Sequence, residues 1–196
     1  RSPPPGALAA GAVMVAVVRA IRGFHASEVP TLPRASSADV GLLDAIMDLE
    51  SACPDLHEPL SEIRRRLPER LEEEGNCDPV TLHNDLHWNQ FSIKGGRFAI
   101  LDLERMVRGG ATVDVANFAT QLQMLGCRPD IDVDRETAER WRGTFLTCWE
   151  AAIGRPLPRV CFHALAARSR LELARGMLRH LRPDWPAIAE ECVARS

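Results

Sequence analysis

The sequence predicts an α+β chain that is mostly helical, with one small β-hairpin near its middle. Three observations carry that reading. Apolar residues recur at helical spacing on both flanks, the pair Gly95-Gly96 joins two short apolar segments, and proline and glycine punctuate the rest. At 196 residues and 45% hydrophobic, the chain has room for one good core. Its formal charge of −3 gives no electrostatic reason to expect nucleic acid as a partner.

Residues 1–6 (RSPPPG) are a proline-rich lead-in, a linker or truncated hinge, and the domain proper runs over 7–196. Gly6 and Gly11 have P-loop spacing, but Ala12-Val13 stand where Lys and Ser/Thr are required. Residues 7–25 read as a buried helix. Its apolar run ends at Val18, too short to span a bilayer, and Arg19 and Arg22 replace a signal-peptide cleavage site. A second helix is expected over 37–53, capped by Ser36 or Ser37, with Leu42, Leu43, Ile46 and Leu49 on one side. Residues 54–59 break it, and 60–74 form a charged helix whose Arg64-Arg65-Arg66 reads as a solvated face rather than an anion site.

The chemistry is concentrated in 80–104, VTLHNDLHWNQFSIKGGRFAILDLE. Segments 91–94 and 97–101 flank Gly95-Gly96, a pair that tolerates positive φ at both turn positions, so they pair as a hairpin. A hairpin brings its ends together, so Asp85, Gln90 and Asp102 are expected around one point. That grouping suits phosphoryl transfer. A loop aspartate (Asp85) takes the proton of an attacking hydroxyl, while an amide oxygen (Gln90) and a second aspartate (Asp102) hold Mg²⁺ against nucleotide phosphates. His83 and His87 are expected to brace this loop. As a His-x-x-x-His pair they also admit zinc, but no convincing third histidine lies nearby. Glu104 either assists the metal or faces solvent.

Beyond 104, the loop 105–111 is expected to be mobile. A helix then starts at Thr112 or Asp114 and buries Val115, Phe118, Ala119 and Leu122. Asp130-Ile131-Asp132-Val133-Asp134 is rejected as a calcium loop because Arg135 and Trp141 occupy the glycine and glutamate positions. Asp134 more simply caps a helix over 135–153; contact of these acids with a cationic substrate is a secondary reading. Gly154 to Pro158 is a turn, followed by a long helix over 159–181 and a last one ending near Ala194. Six scattered cysteines with no C-x-x-C pair read as reduced, mostly buried thiols in a cytoplasmic protein.

His83-Asn84-Asp85-Leu86-His87-Trp88-Asn89-Gln90 resembles the H-G-D-x-H-x-x-N catalytic loop of the aminoglycoside phosphotransferase-like kinases, relatives of choline and small-sugar kinases and cousins of protein kinases. Ile100-Leu101-Asp102-Leu103-Glu104 resembles their metal-binding I-D-W/F-E/D segment, and Gly110 to Ala116 their G-D-P-x-x-D-L-A segment, with Asp114 on the closing aspartate. Asn84 replaces the usual Gly, and Gln90 the usual Asn; Gln keeps the amide oxygen but reaches one methylene further.

The resemblance implies a protein-kinase-like C-terminal lobe. With it come ATP or another nucleoside triphosphate, Mg²⁺, and a small-molecule acceptor hydroxyl on an aminoglycoside, sugar or amino alcohol. It assigns Asp85 the base role and implies that Asp114 receives hydrogen bonds from the catalytic-loop backbone; an ordinary helix cap is the alternative. It also implies an N-terminal β-lobe, with a phosphate-gripping lysine, that this chain does not contain. The one lysine here, Lys94, lies on the hairpin. The rival expectation is a catalytically silent remnant or binding module; a zinc hydrolase is remote.

Overall fold

A computed structural model describes residues 10–35, 40–72, 78–94, 97–180 and 182–196. The first helix, α1 (Ala10–His25), buries Met14, Val17, Val18 and Ile21 at helical spacing and leaves Arg19 and Arg22 outside. In α2 (Val40–Ala52) the buried stripe is Leu42, Ala45, Ile46 and Leu49. Leu43, which the sequence grouped with that stripe, is 46% exposed, because adjacent helical residues point roughly 100° apart. The expected cap at Ser36 or Ser37, the start of α1 and the lead-in 1–6 lie outside the described residues.

The break after α2 is present but shorter than 54–59. Cys53 leaves the helical region at φ −132° and ψ 85°, and a 3₁₀ turn at Pro54–Leu56 then runs into α3 (His57–Glu72). Pro59 falls in the first turn of α3, where a missing N–H costs no intrahelical bond. Arg64 pairs with Glu50 of α2, while Arg65 and Arg66 both pair with Glu62. The arginine triplet is a paired, solvated face.

Two short antiparallel sheets follow. Strand β1 (Val80–Leu82) pairs with β4 (Val107–Gly109), with Thr81 opposite Arg108. Strand β2 (Phe91–Lys94) pairs with β3 (Arg97–Ile100), with Phe91 opposite Ile100 and Lys94 opposite Arg97. The glycine tip lies outside the described residues. The expectation of a mobile 105–111 loop is corrected, since its middle three residues are β4. Arg108 also exchanges backbone hydrogen bonds of 2.8 Å with Pro33 and Ala35, tying β4 to the turn after α1. A three-residue strand is too short to show periodicity, which is why the sequence hid it. A Cβ at Gly109 would sit 2.8 Å from Leu82 Cδ1 and 3.2 Å from Ala35 Cβ, so a larger residue there would have to displace the buried Leu82 side chain.

Helix α4 (Thr112–Met124) is buried along most of its length, including Val115, Phe118, Ala119 and Leu122. It packs between α5 (Arg135–Ile153) and α6 (Arg159–Arg179), and α6 also meets α2, α3 and α7 (Trp185–Ala194). Asp134 caps α5 by accepting the Thr137 amide at 2.6 Å, and Gly154 ends it in the left-handed region at φ 70°. Asp130 is held by Arg128 at 2.9 Å and Arg182 at 3.2 Å, which keep its carboxyl well below the usual range. Among the described cysteines, Cys161 and Cys192 are buried, whereas Cys53, Cys127 and Cys148 are only half-buried, fewer in the core than expected. Burial pushes the Cys192 thiol up to about 12. No described helix is long and apolar enough to cross a membrane.

Candidate active site

The hairpin base builds the site. Past the Phe91–Ile100 pair, the ladder continues one step, with the Leu101 amide donating to the Gln90 carbonyl at 2.8 Å. Asp102 then turns the chain away at φ 58°. Edge-to-face contacts from Phe91 to Phe118 (5.5 Å) and from Phe118 to Phe145 (4.8 Å) moor this end of the hairpin on α4 and α5.

Gln90 closes a single 3₁₀ turn, Trp88–Gln90, and its side chain is buried. Its Nε2 donates to Asp102 Oδ2 at 3.2 Å and to His87 Nε2 at 3.1 Å. Asp85 and Asp102 both lie close enough to His87 to favour its charged form. Burial outweighs them and pushes the His87 pKa down. Accepting from Gln90 is consistent with that: Nε2 must be unprotonated, leaving the proton on Nδ1.

The sign of the pH effect follows. Because the folded pKa lies below the unfolded one, the unfolded chain binds the proton first as pH falls. The stability contributed by neutral His87 is therefore full above the ordinary histidine value of about 6.5 and is lost progressively below it. An NMR titration of His87 should give a midpoint below the free-histidine value; a midpoint above it would contradict this burial.

Behind His87 lies a fully buried layer. Asp114, at the start of α4, is 0% exposed and accepts the backbone amides of His83 (2.8 Å, Oδ2) and Asn84 (2.8 Å, Oδ1). The loop amides, rather than only the turn of α4, are thus its partners. His83 is equally buried, and its Nε2 donates to the Leu101 carbonyl at 2.8 Å, joining the loop to the end of the hairpin. Asn84 adopts φ 64°, where residues other than glycine are strained and asparagine is among the best tolerated. Asn84→Val should therefore cost about 1–2 kcal/mol in urea unfolding, while Asn84→Gly should cost nothing; equal costs would refute the strain argument.

Sequence reasoning missed His25. At the end of α1, its Nε2 lies 3.0 Å from Asp114 Oδ2, and its ring meets Trp149 edge-on at 5.8 Å. It continues the Met14, Val18, Ile21 stripe, so helical periodicity could have marked it as core-facing. Arg105 was missed as well; its Nη1 is 3.5 Å from Asp85 Oδ2, and both side chains remain substantially exposed.

No hydrogen bond joins Asp85 to Gln90 or Asp102. Asp85 lines a cleft of about 330 Å³ between the loop, α4 and α6. Trp88, Asn117, Gln121, Ser169 and Glu172 line it. The structure thus joins Gln90 to both His87 and Asp102 by hydrogen bonds, puts Asp85 on the cleft wall, and buries His83 and Asp114 completely. Glu104 is exposed. The zinc alternative would put His83 and His87 on one ion, but the His83 Nε2 is directed at the Leu101 carbonyl.

The phosphotransferase enzyme family profile matches residues 2–156. The chain belongs to the phosphotransferase enzyme family. No curated protein matches its sequence. Among solved structures, this family member is similar to a glucosamine kinase in complex with glucosamine, ADP and inorganic phosphate, at 20% identity and TM-score 0.63, over 95% of this chain and 51% of that one. It is similar to a choline kinase from Streptococcus pneumoniae at 14% identity and TM-score 0.63, over 94% and 63%. The gentamicin–APH(2″)-IIa complex matches at 12% identity and TM-score 0.58, over 97% and 63%. These likenesses establish a kinase-like fold. The chain spans about half the length of the glucosamine kinase structures it matches.

Proposed function

We propose that this chain is the catalytic and acceptor-binding C-terminal lobe, over 7–196, of a cytoplasmic phosphotransferase that moves the terminal phosphate of ATP onto a hydroxyl of a small molecule. The observation that carries the reading is the arrangement at the hairpin base: Gln90 bonded to both His87 and Asp102, with Asp85 of the same loop, close to His87, on the wall of an open cleft. Asp85 would orient the acceptor hydroxyl and take its proton. The cleft between α4 and α6 would hold the acceptor. Asp114, with His25 and His83 beside it, would fix the loop that carries Asp85.

Gln90 and Asp102 suit Mg²⁺ by donor chemistry, because an amide oxygen and a carboxylate are hard ligands; here the Gln90 NH₂ faces Asp102 at 3.2 Å, so the amide would turn over to present its oxygen. When bound there, the metal would neutralise phosphate charge. Nucleotide phosphates would also require a cationic grip that Lys94, on β2, is not placed to give; a lysine on a further lobe would supply it.

The second reading, a catalytically silent remnant or binding module, is favoured by one observation, the partial coverage of the kinases it matches. Transfer of labelled phosphate from ATP and Mg²⁺ to a panel of sugars, amino alcohols and aminoglycosides separates the two. Transfer supports the enzyme. Absence of both transfer and nucleotide binding, in a protein that also carries a Gly-rich hairpin and strand lysine, overturns it.

A further inference from the structure

We propose that the acceptor in the α4–α6 cleft is a neutral polyhydroxy compound of single-ring size, a monosaccharide or similar polyol, rather than a polycation or a quaternary ammonium alcohol. This rests on reading the cleft as the acceptor site. Charge is the first argument. The wall carries two carboxylates, Asp85 and Glu172, and two guanidiniums, Arg105 and Arg128, with no formal surplus of either sign. Each already has a counter-charge: Asp85 has Arg105 at 3.5 Å, Glu172 has Arg168 at 3.1 Å, and Arg128 has Asp130 at 2.9 Å. Asp130, the acid nearest to serving a cation, is claimed a second time by Arg182. A multiply charged amine would lose hydration here without meeting an unclaimed carboxylate.

Hydrogen-bonding capacity is the second. Asn117 and Gln121 lie one turn apart on α4 and both face the cleft. The Ser169 hydroxyl donates to Asn117 Oδ1, which leaves the amide NH₂ without a partner among the described residues. Gln121 has no hydrogen-bond partner among the described residues, so both ends of its amide are available. Neutral amides that donate and accept match hydroxyls, which also do both. An acceptor lacking those hydroxyls would leave them unpaired.

Shape is the third. Trp88 gives one flat, half-buried indole face, suited to the C–H face of a sugar ring. Recognition of a quaternary ammonium relies on a cage of aromatic faces, and Trp88 is the only Trp, Phe or Tyr among the described residues of this cleft. The volume of about 330 Å³ is at the small end for ligand clefts.

The test is binding without nucleotide, by saturation-transfer NMR and calorimetry, of a set of neutral hexoses and pentoses, of gentamicin and of choline. At least one neutral sugar should bind more tightly than gentamicin or choline. Gln121→Leu and, independently, Asn117→Leu should weaken that sugar about tenfold each, with circular dichroism reporting that the fold is kept. Gln121→Glu, which adds one unclaimed negative charge, should raise gentamicin affinity. Tighter binding of gentamicin or choline to the unaltered protein overturns the proposal, as does sugar binding indifferent to both leucine variants, or no sugar binding at millimolar concentration. Sugar binding with neither phosphate transfer nor nucleotide binding, in a protein that also carries a Gly-rich hairpin and strand lysine, would sink the phosphotransferase reading and leave this one standing. Transfer to gentamicin in preference to every sugar would do the reverse.

Discussion

Asparagine at position 85 should lower kcat for phosphate transfer by about 10²–10⁴-fold, the usual worth of a positioned general base, and leave nucleotide affinity nearly intact. The substitution keeps size and hydrogen-bonding reach but removes the atom that takes the proton. It should not disturb the loop, because the neighbouring backbone amides are held by Asp114 rather than by the Asp85 side chain. The lost partner of Arg105 matters little. That ion pair is 3.5 Å long and solvent-exposed, a class worth at most about 1 kcal/mol. Steady-state kinetics of an enzyme that transfers phosphate, compared with the variant, makes the measurement. Unchanged turnover, or a loss confined to KM, would remove Asp85 from the role of base.

Asp114→Ala should be the most damaging substitution to stability, at about 3–5 kcal/mol, which is much of what holds a typical domain folded. The carboxylate is wholly buried and meets three groups: the amides of His83 and Asn84 and the ring of His25. Alanine leaves all of them without water or partner, each unsatisfied donor costing about 1–3 kcal/mol. Asp114→Asn should fall between, since one amide oxygen can still accept while the NH₂ group confronts a second donor. Urea unfolding with unchanged slope and a lower midpoint is the expected result. A midpoint indistinguishable from that of the parent would mean the loop does not depend on this carboxylate. Where Asp114→Ala remains folded, transfer should still drop, because Asp85 follows the amides that Asp114 holds.

Much of this was legible along the chain. Helices α1, α4 and α5 follow their apolar spacing, and the Asp134 cap and Gly154 stop fall where residue chemistry puts them. The hairpin followed from a glycine pair between two apolar segments, and its base brings Gln90 to Asp102. Other features were not readable. The β1–β4 pair joins segments about 27 residues apart through strands too short for periodicity. Pro59 looked like a break because proline's effect depends on whether it falls in the first turn, which the sequence leaves open.

The sequence by itself determined the order of the chemistry: a loop aspartate, an amide five residues on, a hairpin, a second aspartate, and a third acid before a buried helix. Those are local facts, fixed by side-chain type, turn propensity and periodicity. Only the tertiary structure decided that His25, 89 residues before Asp114, completes its shell, and that Gln90 is held by both His87 and Asp102. It also decided that α4 and α6 enclose an electroneutral cleft. Burial and counter-charge come from elements distant in sequence, and burial and pairing set whether a polar side chain braces a loop, binds a ligand or only neutralises a neighbour.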